Sequence, residues 1–158
     1  MKAPIIDIAV QSPLWDAEPL AEETVCRAIS MAAGLARATG EVSVLLTDDA
    51  AMRDLNREWR EIDKPTNVLS FPAAESSHPL IGDIAIGYEM VRNESTAENA
   101  PFLHRLAHLT VHGFLHLLGY DHQNDSQAEA MEGLERDILA QIGIADPYRL
   151  REPETGNA

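Results

Sequence analysis

The stretch VHGFLHLLGYDH, residues 111–122, limits what this chain can fold into more than any other part of it. His112 and His116 are four residues apart, so on a helix they share a face and can aim at one point. A third ligand from the same straight helix would drift around the axis and lie too far along it. Gly119 instead permits a left-handed residue and a sharp reversal, which brings His122 back towards the first two. The spacing H-x-x-x-H-x-x-G-x-x-H is that of a hydrolytic zinc site, with three protein ligands and an open fourth position. Three neutral imidazoles leave the ion its full charge, which favours acidifying a bound water. The competing reading is a set of buried histidines bonded to backbone, and each of the three rings would then need its own partners in an apolar helix end. A purely structural zinc is normally closed by four ligands and rich in cysteine. The single cysteine, Cys26, is far away in sequence and reads as a small core residue.

Zinc peptidases carry a glutamate after the first histidine, where it takes a proton from the metal-bound water. This chain has Gly113 there. Amide hydrolysis needs such a base, also to protonate the leaving nitrogen. A phosphodiester develops negative charge on its oxygens, which metal and arginine stabilise electrostatically. The segment 53–72 offers Arg53, Arg57, Arg60 and Lys64, which fall within about a 60° arc if helical. The plain alternative is a solvated helix face with i, i+4 ion pairs. Among the remaining histidines, His108 reads as a pocket residue behind the ligands or as a further ligand. His104 reads as a surface residue, and nothing is assigned to His78. Asp121 either orients a ligand histidine or caps the turn.

The rest of the chain fits one α+β domain over residues 1–150: a mixed sheet of about four strands packed with helices, and the three-histidine zinc site at a helix end. Strands are expected at 5–11, 41–47, 66–72 and 82–88, from alternation and from the stop at Pro72. A helix over 19–39 has an apolar stripe of Val25, Ala28, Ile29, Ala32 and Leu35, with Gly40 at its C-cap. A helix over 49–60 is capped by Thr47 or Asp48, and a short polar helix lies near 89–98. Pro101 fits N1 of the histidine helix, which ends at Gly119. Ser126 and Glu129 form a capping box for a last helix that presents Met131, Leu134, Ile138 and Ile142 to the core. Residues 151–158 read as a flexible tail.

With 158 residues and 45% hydrophobic content the chain can build a proper core. No run of about 18 apolar residues suggests a membrane helix, no convincing signal peptide is present, and one cysteine forbids an intrachain disulfide. A cytoplasmic location without membrane contact is expected. The net charge of −14 opposes non-specific attraction to nucleic acid, so RNA binding would need a local basic patch.

The blocks LNREWREIDKPTNVLSFP (55–72), IGDIAI (81–86) and HLTVHGFLHLLGYDHQND (108–125), in this order and spacing, resemble the YbeY family of bacterial rRNA-maturation endoribonucleases. The likeness spans roughly 40–148. It implies a metal-dependent endoribonuclease specific for single-stranded RNA, with one zinc ion on His112, His116 and His122. It also implies a role in 16S rRNA 3′-end maturation and ribosome quality control, with rRNA and the ribosome or its proteins as partners. The family's functional arginine falls on Arg60, and Glu61 stands where many relatives have glycine. On this reading Arg60 holds the scissile phosphate and Ser70 lines the groove. Two rivals stay open: a zinc peptidase-like hydrolase, and a non-catalytic ribosome-assembly factor whose zinc only braces the helix end.

Overall fold

The computed structural model describes residues 3–148, so the tail expected at 151–158 lies outside the described residues. Four strands form one sheet in the order β1-β2-β4-β3. β1 (Ile5–Val10) and β2 (Glu41–Thr47) pair in parallel, joined through helix α1 (Ala21–Ala36). β2 also pairs in parallel with β4 (Leu80–Gly87), which pairs antiparallel with the edge strand β3 (Val68–Pro72). Helix α2 (Asp49–Arg60) connects β2 to β3, and α3 (Tyr88–Ala97), α4 (Phe102–Leu117) and α5 (Asp125–Gln141) follow β4. The fold is the single α+β domain with a four-stranded mixed sheet that the periodicities imply.

Period-two alternation sorts the strands into two faces. Val42, Val44, Leu46, Ile84 and Ile86 point to the main core, where they meet Val25, Ala28 and Ile29 of α1 and Leu106, Phe114 and Leu115 of α4. Leu69 and Ala85 point the other way and pack with Met52 of α2 in a smaller cluster. Helix α4 is buried almost all round from Leu106 to Leu117, against the sheet and among α1, α3 and α5. A helix so enclosed fixes its side chains in three directions, and this is what positions the histidines.

Several boundaries depart from expectation. α1 ends on Arg37 in the left-handed conformation, so Gly40 is not its cap, and Leu35 stays exposed while Ala33 takes the buried place. Pro101 is the N-cap of α4, one residue before N1. The last helix is capped by Asn124, whose side chain accepts from Gln127 N, while Gln127 Oε1 accepts from Gln123 N. The cap therefore lies two residues before the Ser126–Glu129 pair, with Asn124 extended (φ −141°) as an N-cap is.

Candidate metal centre and groove

The site is built on the C-terminal end of α4. Gly119 has φ +100°; its N–H reaches His116 O at 3.0 Å, and Tyr120 N–H reaches Leu115 O at 3.1 Å. This is a Schellman ending, in which a left-handed glycine folds the chain back over the last turn. Two consequences follow for the histidines. The Tyr120 carbonyl is placed where His116 Nδ1 donates to it at 2.9 Å. His122 returns to the helix end, its ring centroid 5.2 Å from that of His116 and 5.7 Å from that of His112. Asp121 caps the turn by accepting the backbone N–H of His122 at 2.8 Å.

One nitrogen from each of His112, His116 and His122 lies within 4.8 Å of the other two. The tautomers of the helical pair follow from their partners. A carbonyl oxygen only accepts, so His116 carries its proton on Nδ1. His112 Nδ1 lies 2.9 Å from Oε2 of Glu135. Burial on its own would raise the Glu135 pKa, but hydrogen bonds from His108, His112 and Tyr148 overcome it and hold the carboxyl at about 2. Glu135 is therefore an anion that accepts, and His112 also carries its proton on Nδ1. Both Nε2 lone pairs then face each other at 3.1 Å. Two acceptor lone pairs at that distance repel unless a cation lies between them, and tetrahedral zinc ligands sit about 3.3 Å apart. The donor set fits a divalent metal. Burial, and then the neighbouring His112, lower the His116 pKa, which keeps that ring in the neutral state a ligand needs.

Glu135 is the residue that sequence reasoning missed. Its side chain is fully buried, with His112 on one oxygen and His108 (2.8 Å) and the Tyr148 hydroxyl on the other. The signal was present: Glu135 lies four residues after Met131 and three before Ile138, inside the core-facing stripe of α5. A carboxylate on such a face needs dedicated donors. His108 is buried behind the ligands as a partner of Glu135, while His104 and His78 are exposed.

Gly113 stands where zinc peptidases carry the glutamate. It faces the sheet, and a Cβ there would meet Ser70 Oγ at 3.1 Å, Val68 Cγ2 at 3.2 Å and Ile84 Cγ2 at 3.3 Å. Ser70 Oγ donates to Gly113 O at 2.9 Å, tying β3 to α4 beside the histidines. The result is a groove of about 390 Å³ lined by Arg60, Asn67, Val68, Ser70, His112 and His116, among others.

The four-residue basic stripe is reduced to one member. α2 ends at Arg60, with Glu61 left-handed at φ +60°, so Lys64 lies off the helix. Arg53 is paired with Asp63, and Arg57 with Asp54 and Asp63. Arg60 is in no ion pair among the described residues. It donates to Ser70 O at 2.9 Å and stacks over the Phe71 ring at 5.3 Å, which leaves further N–H donors for the groove. A second groove of about 560 Å³ crosses the opposite sheet face among Leu45, Leu55, Trp59, Phe71 and Ala85, and holds none of the histidines.

The comparisons of sequence agree on one family. The model described as "Endoribonuclease YbeY" matches residues 15–143. The chain is 50% identical to Endoribonuclease YbeY of a Bradyrhizobium species, over 94% of this chain and 95% of that one. It is 53% identical to Endoribonuclease YbeY of Nitrobacter winogradskyi, over 92% of this chain and 82% of that one. The solution structure of TM1509 from Thermotoga maritima shares the fold at a TM-score of 0.51 and 24% identity, over 96% of this chain and 99% of that chain.

Proposed function

The chain belongs to the endoribonuclease YbeY family, and from that premise we propose that it cleaves single-stranded RNA with the help of one zinc ion held by His112, His116 and His122. The single observation that carries this reading is the groove in which His112 and His116 of the histidine cluster face the same space as Arg60, an arginine in no ion pair among the described residues. A divalent metal bound there supplies Lewis acidity, which lowers the pKa of a water and neutralises charge on phosphoryl oxygens. The protein's own residues do the rest. Arg60 engages a non-bridging phosphate oxygen and stabilises the charge that grows there, pre-aimed by Ser70 O and the Phe71 ring. Glu135 and the Tyr120 carbonyl keep His112 and His116 in the ligating tautomer. The backbone of Val68–Ser70 forms the wall against which the strand lies.

The setting proposed is 16S rRNA 3′-end maturation and ribosome quality control in the cytoplasm, with the ribosome or its proteins as partners. A net charge of −14 supports a delivering partner, since long-range repulsion opposes unaided encounter with RNA. No helix among the described residues is long and apolar enough to cross a membrane.

The test uses purified protein of defined metal content and end-labelled single-stranded RNA. Zinc-loaded protein should cleave it, chelation should stop cleavage, and zinc should restore it. Arg60→Glu should bind zinc normally yet lose at least about 100-fold in cleavage rate, the scale of removing one preorganised charge-stabilising group. An Arg60→Glu protein that cleaves at the normal rate refutes the role of Arg60. Hydrolysis of an unstructured peptide in place of RNA would favour the peptidase reading.

A further inference from the structure

A chain of hydrogen bonds leads away from the metal centre into the protein, and its direction is fixed at the far end. His112 Nδ1 meets Glu135 Oε2 at 2.9 Å, and Glu135 Oε1 meets His108 Nε2 at 2.8 Å. His108 Nδ1 lies 3.2 Å from a terminal nitrogen of Arg105. Arg105 is itself held by Glu94, at 2.8 Å and 3.0 Å. Glu94 also receives the side-chain amide of Asn67 at 3.0 Å, and Asn67 Oδ1 accepts the N–H of Val68, the first residue of β3.

The polarity follows from donor inventory alone. A guanidinium only donates. His108 Nδ1 must therefore accept, which places the His108 proton on Nε2, aimed at Glu135. The carboxylate then accepts on both oxygens, and its second oxygen takes the Nδ1 proton of His112. That leaves His112 Nε2 as a lone pair on the ligand side. Reverse the first bond and His108 would aim an Nδ1–H at the Arg105 guanidinium, donor against donor, at 3.2 Å.

Building on the reading of His112 as a metal ligand, we infer that Arg105 is a positioning residue. It sets the direction of hydrogen bonding from His108 to Glu135, supports the carboxylate that holds His112 as an Nδ1–H imidazole with Nε2 free to ligate, and couples that state through Glu94 and Asn67 to the strand lining the groove. Nothing in the sequence separates Arg105 from an ordinary surface arginine. Its side chain is only 16% exposed, and its partners come from α3 and α4.

Two measurements test this, and the first needs no metal. Long-range proton–nitrogen correlation spectra of metal-free protein labelled on histidine nitrogen report each tautomer. The wild type should show His108 protonated on Nε2 and His112 on Nδ1. In Arg105→Met the single His108 tautomer should give way to a mixture. Zinc affinity, read by competition with a chromophoric chelator, should fall about 10- to 100-fold in the same variant. His108→Gln offers one acceptor and one donor in the same sense as the ring and should keep zinc affinity close to wild type. His108→Leu should lose it as Arg105→Met does.

His108 protonated on Nδ1 in the wild type would overturn the inference, as would a folded Arg105→Met protein with unchanged tautomers and zinc affinity. If Arg105→Met does not fold, the wild-type spectrum and the contrast between His108→Gln and His108→Leu decide. A wild type with the stated tautomers, sensitive to Arg105, that binds no zinc would defeat the metal reading and leave the polarity assignment standing.

Discussion

Gly113 and Glu61 show how far single residues shape the site. Gly113 sits where a Cβ would press on Ser70 and Val68 of β3 and Ile84 of β4 at 3.1–3.3 Å, so a larger residue requires the sheet to give. The proposed phosphodiester substrate would not require the glutamate. Gly113→Glu recreates the peptidase motif on paper, yet it should destabilise the fold by about 3 kcal/mol or more through overpacking and a buried charge. It should hydrolyse no peptide; urea unfolding and a peptide assay check both. Glu61 is the opposite case, a side chain held at φ +60°, a conformation that favours glycine. The left-handed conformation costs a non-glycine residue on the order of 1 kcal/mol, so Glu61→Gly should raise stability by about 0.5–1 kcal/mol. A lower urea midpoint for Glu61→Gly would count against that conformation. The neighbouring Arg60 is kept where it is by Ser70 O and Phe71, so its position does not depend on which residue caps the helix.

At the level of elements, the decisive feature is how α4 ends. The Schellman turn at Gly119 does three things with one reversal: it closes the helix, presents the Tyr120 carbonyl to His116, and returns His122 to the site. Nothing lies near a Cβ at Gly119, so the cost of Gly119→Ala is purely conformational, about 1–2 kcal/mol. Zinc affinity should fall more than stability alone explains, because relaxing φ moves two of the three ligand contacts together. Parallel unfolding curves and chelator titrations would reveal this. An affinity that stays at the wild-type level would show that His122 reaches the metal without the turn. The capping of α5 shows why sequence reading erred by two residues there. Ser126 and Glu129 satisfy the pattern, but Asn124 and Gln127 satisfy it as well and lie where the returning chain first turns helical.

For the whole molecule, the same groups that prepare the site also make the fold sensitive to acid. His116 is harder to protonate in the folded chain than in the unfolded one, because of burial and then of His112. The unfolded state thus takes up a proton first as pH drops below the ordinary 6.5, and metal-free protein loses stability between pH 7 and 5. Glu135 adds a second loss. Its carboxyl is held at about 2 against an ordinary 4.5, so its contribution is complete above about pH 4.5 and disappears as pH falls towards 2. Relief of repulsion in a chain of net charge −14 works in the other direction. The comparison that isolates His116 is the difference in urea stability between wild type and His116→Gln at pH 7 and pH 5. Wild type should lose the more, and equal losses would refute the assignment.

The sequence by itself determined the strands, the helices and the three-histidine cluster. Each depends on a local period: two for strands, four for His112 and His116, and a glycine reversal for His122. It also singled out the segment around Arg60. Which of its basic residues faces the groove was decided only in three dimensions, by Asp54 and Asp63 pairing with the others and by the turn that removes Lys64. Glu135, Tyr148 and Arg105 come from other parts of the chain, so no short spacing announces them. Their roles arise because α4 is buried on most sides: a buried imidazole must find partners on whichever element packs against it. Periodicity reveals which residues turn inward, and only tertiary packing decides what they meet there.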